Sequence, residues 1–186
     1  MPKFGQWNRL RDVMRGFDKR LKANCRLALM RAGILLEGMI KDRIISGKGM
    51  PRLHGFTVDQ KGSSKPLIDD GDLLGSVGYR FVDLPAASRG SAAQAGKDAV
   101  FVGAHRKAAD GTDVAALHER EEGTRVAVTP KMRAYLHARG FHLRPTTTHL
   151  FIPGRPYIKP AFRDFKAKGH MKGLFGKAIQ DTTRGG

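Results

Sequence analysis

The 186-residue chain has a single cysteine, Cys25. An intrachain disulfide is thereby excluded, and a cysteine-based zinc site has too few ligands. A reducing cytoplasm at the time of synthesis is the expectation. No apolar run is long enough to span a bilayer. The basic N-terminal stretch is not followed by an apolar core and cleavage site, so no secretory signal and no membrane are expected. A Walker phosphate loop, a GxGxxG turn and a GxSxG elbow are all missing. So is any repeat in the solenoid range of about 20–50 residues. Acidic residues are scarce: 17 Asp and Glu stand against 34 Lys and Arg, a net charge of +17.

That charge is unevenly spread. Residues 1–50 hold 12 Lys/Arg and 4 Asp/Glu, residues 51–130 hold 10 and 11, and residues 131–186 hold 12 and 2. Two basic ends flank a balanced middle. Such a subunit attracts polyanions or acidic proteins, although a solvated basic surface fits the same count. Aromatics interleave with cations in KFGQWNRLR, FHLR and RPYIKPAFRDFK. None of these matches the paired-aromatic pattern of a base-reading sheet, so only non-specific phosphate contact is supported.

What is present is a mixed pattern of elements. Over residues 17–45, Leu21, Cys25, Ala28, Ala32, Leu35 and Met39 recur at spacings of four and three, widened by Leu29, Leu36 and Ile40. This spacing predicts an amphipathic helix, and Ser46–Pro51 supplies its stop. Lys19, Lys22, Arg26 and Arg31 fall mostly off the apolar stripe and are candidates for a DNA channel or an acidic partner, with plain solvation as the alternative. Residues 51–65 read as a loop. Asp70 or Asp72 is placed to cap a short helical turn through Ser76. Val77, Tyr79 and Phe81 then alternate as a strand. Residues 85–98, small, polar and flexible, read as a hairpin loop or an exposed arm, 99–105 as a β-rich run, and 106–114 as a turn-rich connection. A helical turn at 115–124 ending at Gly123, a strand from Arg125 to Val128, and a helix opened by Thr129-Pro130 follow, with Tyr135 and Leu136 facing inward. A strand at Leu150–Ile152 and a Gly-interrupted helix after Pro160 complete the order, and the terminal DTTRGG is expected to fray. The fold class is α+β: a long N-terminal helix on a small antiparallel sheet, a C-terminal helix and extended arms or loops. The expected division is a basic arm over 1–16, an α+β domain over 17–165 and a basic extension over 166–186.

Catalytic patterns are thin. Asp69, Asp70 and Asp72 form a carboxylate cluster without the distant Glu of a calcium loop, so a turn plus helix cap is the plainer reading. HEREE at 118–122 has one His of the HExxH pair, leaving His118 and Glu122 short of a zinc ligand set even if they share a helix face. His137, His142 and His149 read as separate, exposed groups, and Cys25 as core.

Five segments in order carry a resemblance. KPLIDDGDLLGSV, VFVG, ALHEREEG, VTPKMRAYL and IPGRPYIKPAF resemble the signature of the phage virion morphogenesis proteins, the tail-completion family of long-tailed phages. The likeness covers residues 17–165. Asp70 stands where the family has Thr, Ala115 or Ala116 where an aromatic precedes the His segment, Gly154 where it has Ala, and Tyr157 where it has Phe. The resemblance implies a structural component of the head–tail neck, a tail-completion or terminator protein, and neither an enzyme nor a cofactor. It implies a homo-oligomeric ring of about six or twelve copies around the DNA channel. Neighbouring neck, portal-adaptor and tail-tube proteins, and packaged DNA through non-specific contacts, are the implied partners. The virion neck, after assembly in the host cytoplasm, is the implied location. A non-specific nucleic-acid-binding protein and a metal-dependent nuclease are the alternatives.

One segment resists a simple assignment. HLFIPGRPYIKPAFRDF, residues 149–165, is apolar yet carries Pro153, Pro156 and Pro160. Proline donates no ladder hydrogen bond and biases its predecessor toward extended backbone. The stretch therefore reads as a strand that leaves its sheet at Pro153 and becomes a stiff strap. Arg155, Pro156, Tyr157 and Ile158 are its candidate subunit contacts, and Trp7 is a further interface candidate.

Overall fold

The computed structural model describes residues 6–68, 71–83, 98–104 and 118–184. The architecture is α+β. The elements are α1 (Gln6–Ser46), α2 (Gly55–Lys61), α3 (Asp72–Ser76), β1 (Val77–Asp83), β2 (Asp98–Ala104), β3 (Thr124–Ala127), α4 (Pro130–Ala138), β4 (His149–Ile152), α5 (Ile158–Ala167) and α6 (His170–Arg184). In place of one small sheet, the described residues form two two-stranded sheets, β1 with β2 and β3 with β4. The loop expected at 85–98, apart from its last residue, and the connection at 106–114 lie outside the described residues. Among the described residues, no helix is long and apolar enough to cross a membrane.

The chain forms two compact units. One comprises Met1–Gly38, Tyr79–Val102 and Arg163–Gly186, and the other Met39–Gly78 and Gly103–Phe162. In the first unit, Ala28, Ala32 and Leu36 of α1 are buried, as are Phe165, Ala178 and Thr182. Gly33 sits where α1 meets the β1–β2 pair: a Cβ there would lie 2.9 Å from Val100 Cγ1 and 3.1 Å from the Tyr79 ring. A side chain there would force the Val100 and Tyr79 side chains to shift. Thr182 is fully buried in α6. Its hydroxyl accepts from Asn24 Nδ2 at 2.9 Å and donates to the Ala178 carbonyl at 2.7 Å. Residues 181–184 of α6 are therefore helical, contrary to the expected fraying, with Thr182 buried, while residues 185–186 lie outside the described residues. The glycines weaken this helix locally, but the buried threonine and its cross-helix bond hold its end.

In the second unit the core is Ile40, Ile44, Leu67, Leu73, Val77, Tyr157 and Ala161. The buried stripe of α1 thus runs Ala28, Ala32, Leu36, Ile40, Ile44, at a spacing of four throughout. Leu35 is 38% exposed, outside the stripe expected for it. A strict spacing of four drifts around a helix of 3.6 residues per turn, so the buried face turns away from Leu35.

Other expectations are corrected here. Residues 51–65 contain α2, whose N-terminus is capped by His54 Nδ1 accepting from the Phe56 amide at 3.3 Å. Gly62, at φ 65°, closes its C-terminus. Phe141 holds α2 in place, with its ring 4.7 Å from Phe56 and 6.0 Å from His54. The N-cap of α3 is Gly71, and Asp72 is its first helical residue. Thr129 does cap α4, accepting from the Met132 amide at 3.1 Å, with Pro130 in the first turn. Tyr135 faces outward, 59% exposed, with Arg139 over its ring at 5.3 Å.

Candidate functional site

The strap is built from both sides of the β3–β4 hairpin. Thr124 pairs with Ile152, Arg125 with Phe151, Val126 with Leu150 and Ala127 with His149. Arg125, Ala127, His149 and Phe151 form the exposed face, while the alternate residues are half-buried. After Ile152 the chain leaves the ladder at Pro153, as its proline pattern requires.

From there the segment 118–123 grips it. The His118 carbonyl accepts from the Arg155 amide at 2.8 Å. One oxygen of Glu119 accepts from the amides of Tyr157 and Ile158, each at 3.0 Å, and the other from Lys159 at 2.6 Å. These are unsatisfied donors at the start of α5, and the next residue, Pro160, has no N–H to satisfy. One carboxylate therefore closes the helix start, with its negative charge at the positive end of the helix dipole. Gly154 is buried so close to the Arg120 carbonyl oxygen that no Cβ fits, and Glu121 O would be 2.8 Å away. Gly123, at φ 75°, turns the chain beneath Ile152.

Arg155 and Tyr157 are buried within the chain itself: they are 6% and 0% exposed. Arg155 Nε donates to the Pro51 carbonyl at 3.3 Å. Burial draws the Arg155 guanidinium below its ordinary pKa. Burial first, then the charges of Arg155 and Lys61, hold the His118 imidazole below its ordinary 6.5. Among the described residues, His118 Nδ1 has no hydrogen-bond partner. Pro156 and Ile158 remain half-exposed, and Trp7 is 67% exposed on α1. The four strap candidates thus divide into two that anchor the strap within its own unit and two that keep accessible surface.

The helix cations also divide. Lys19, Lys22, Arg26 and Arg31 are all exposed. At about 100° per residue, Lys19, Lys22 and Arg26 share one side of α1, and Arg31 lies well away from them. Lys22 pairs with Asp18 at 2.7 Å. The Arg26 guanidinium stacks 4.7 Å over the Phe81 ring. They do not form a single row.

Asp69 and Asp70 lie outside the described residues. His118 and Glu122 share no helix face, because the helical turn ends at Glu119 and the chain turns at Glu121–Glu122. Among the described residues, no group of three or more His, Cys, Asp or Glu is placed to hold a metal. His137 and His142, separated by a helix end, nevertheless meet with ring centroids 4.9 Å apart. His149 stays apart, 3.0 Å from the Thr148 hydroxyl.

Two residues that hold the unit together went unmarked in the sequence. Glu119 lay inside HEREE, where the His118–Glu122 spacing drew attention instead. Arg133 donates to the carbonyls of Leu143 at 3.4 Å, Arg144 at 3.0 Å and Thr147 at 2.6 Å, gathering the α4–β4 loop. No local pattern marks an arginine whose partners are backbone carbonyls ten or more residues away. Comparison with protein families, curated proteins and solved structures finds no match.

Proposed function

We propose that the chain is a structural subunit of a phage head–tail junction, a tail-completion or terminator component. It assembles as a ring that joins or completes the tail around the DNA channel. One observation carries the reading. Two of the segments behind the family resemblance, HEREEG and IPGRPYIKPAF, interlock through the Glu119 carboxylate, which accepts from the amides of Tyr157, Ile158 and Lys159. About thirty residues apart in sequence, the two segments act as one structural device, which supports reading them together. The exposed apolar side chains Trp7, Phe101, Phe151 and Phe162 on a highly basic subunit fit a role in assembly;.

Electron-microscopic imaging and mass measurement of the purified protein, alone and with phage particles, test the reading. Discrete rings, or density at the neck, are expected. A protein that stays monomeric and is absent from virions overturns it. If that monomer binds duplex DNA with steeply salt-dependent affinity, the basic surface serves nucleic acid directly.

A further inference from the structure

The N-terminal part of α1 carries an apolar face that is left largely exposed among the described residues of its unit. Trp7, Val13 and Met14 are 67%, 59% and 60% exposed. Projected at about 100° per residue, these three fill an arc of roughly 120° together with half-buried Phe17 and Leu21. No charge falls inside that arc. Arg11, Arg15 and Lys22 line one border, and Arg9 and Arg20 the other. Asp18, at the first border, is paired with Lys22. Asp12 lies on the far side of the helix.

The same arc is covered further along. Asn24 belongs to it, and there the end of α6 is held by the bond to Thr182. α6 stops at Arg184, two residues beyond Thr182. Among the described residues, the cover that α6 gives this arc reaches no further than Arg184.

We propose that this face of α1 docks into an apolar groove with acidic rims on a different protein, seated end to end with α6. The charges select the occupant. A second copy would set arginines against arginines across the contact. A nucleic acid could stack a base on Trp7, but it has no apolar surface to cover Val13, Met14 and Leu21. A flat anionic membrane meeting Trp7 and Met14 would also meet the end of α6, which stands out from the same side of α1 and carries exposed Asp181 and Arg184. A groove of limited length avoids that end. The inference goes beyond the ring reading and does not rest on it: a docking result speaks to the helix, and imaging speaks to the ring.

Trp7 is the only tryptophan in the chain, so its fluorescence reports on this face alone. The full-length protein is titrated with a synthetic amphipathic helical peptide whose leucine stripe is bordered by glutamates. The expected result is a saturable blue shift that weakens with salt. The doubly substituted Arg11→Glu, Arg15→Glu protein, checked by circular dichroism, should bind about tenfold more weakly. A matching peptide bordered by lysines should give no shift. An absent shift, or equal shifts with both peptides, overturns the proposal. A shift only with phosphatidylglycerol vesicles reassigns the face to lipid. A shift on concentrating the protein alone reassigns it to a second copy.

Discussion

Glu119 does for α5 what a local N-cap side chain usually does, from nearly forty residues away in sequence. Glu119→Ala removes three charge-assisted acceptor contacts and leaves the amides of Tyr157, Ile158 and Lys159 to find water. A loss of about 2–3 kcal/mol is expected by urea denaturation. A change under about 0.5 kcal/mol would show that water replaces the carboxylate without cost. His118, beside it, gives a pH dependence. Its folded pKa lies below the unfolded value of 6.5, because burial and then Arg155 and Lys61 oppose its protonation. Between those two values the unfolded chain binds the extra proton, so stability rises with pH through that window. The contribution is complete above pH 6.5 and is lost as pH falls toward the folded pKa. His118→Gln should flatten that part of the stability profile, and an unchanged slope would assign it to another group.

At the scale of elements, the strap works because its backbone passes hard against the turn that grips it. Gly154→Ala places a methyl group against the Arg120 carbonyl, and backbone contacts cannot swing aside as a side chain can. About 3 kcal/mol of destabilisation is expected, with lost protection of the β3–β4 amides in hydrogen exchange. Wild-type stability in this variant would mean that the strap relaxes freely at Gly154. The family resemblance expects alanine at this position, so the close passage is a feature of this chain. The strand at Leu150–Ile152, its exit at Pro153 and the helix opened by Thr129-Pro130 were legible in sequence, because proline chemistry and capping act within a few residues. The grip of 118–123 was not legible, because nothing in local spacing says which distant carboxylate will meet a helix start.

For the whole molecule, net charge sets the terms of association. Subunits at +17 repel one another, and added salt screens that repulsion over roughly 8–10 Å;. If rings form by apolar contact between subunits, the imaging proposed above should find more of them at moderate salt than at low salt. Fewer rings with salt would place opposite charges, rather than apolar surface, at the subunit contact. The docking face on α1 should behave in the opposite sense, because its cations seek an acidic partner.

The sequence alone determined the long helix, the alternating strands, the proline strap and the basic ends, since each arises from neighbours three or four positions apart or from composition. It also supplied the ordered motifs that resemble a phage assembly family. Only the tertiary structure decided that Arg155 and Tyr157 turn inward while Pro156 and Ile158 stay half-exposed, and that His118 and Glu122 part company at a turn. It alone paired the strands into two sheets and let the buried stripe of α1 drift away from Leu35. Those outcomes depend on which distant backbone groups need a partner and which faces another helix covers, and neither is written in the residues nearby.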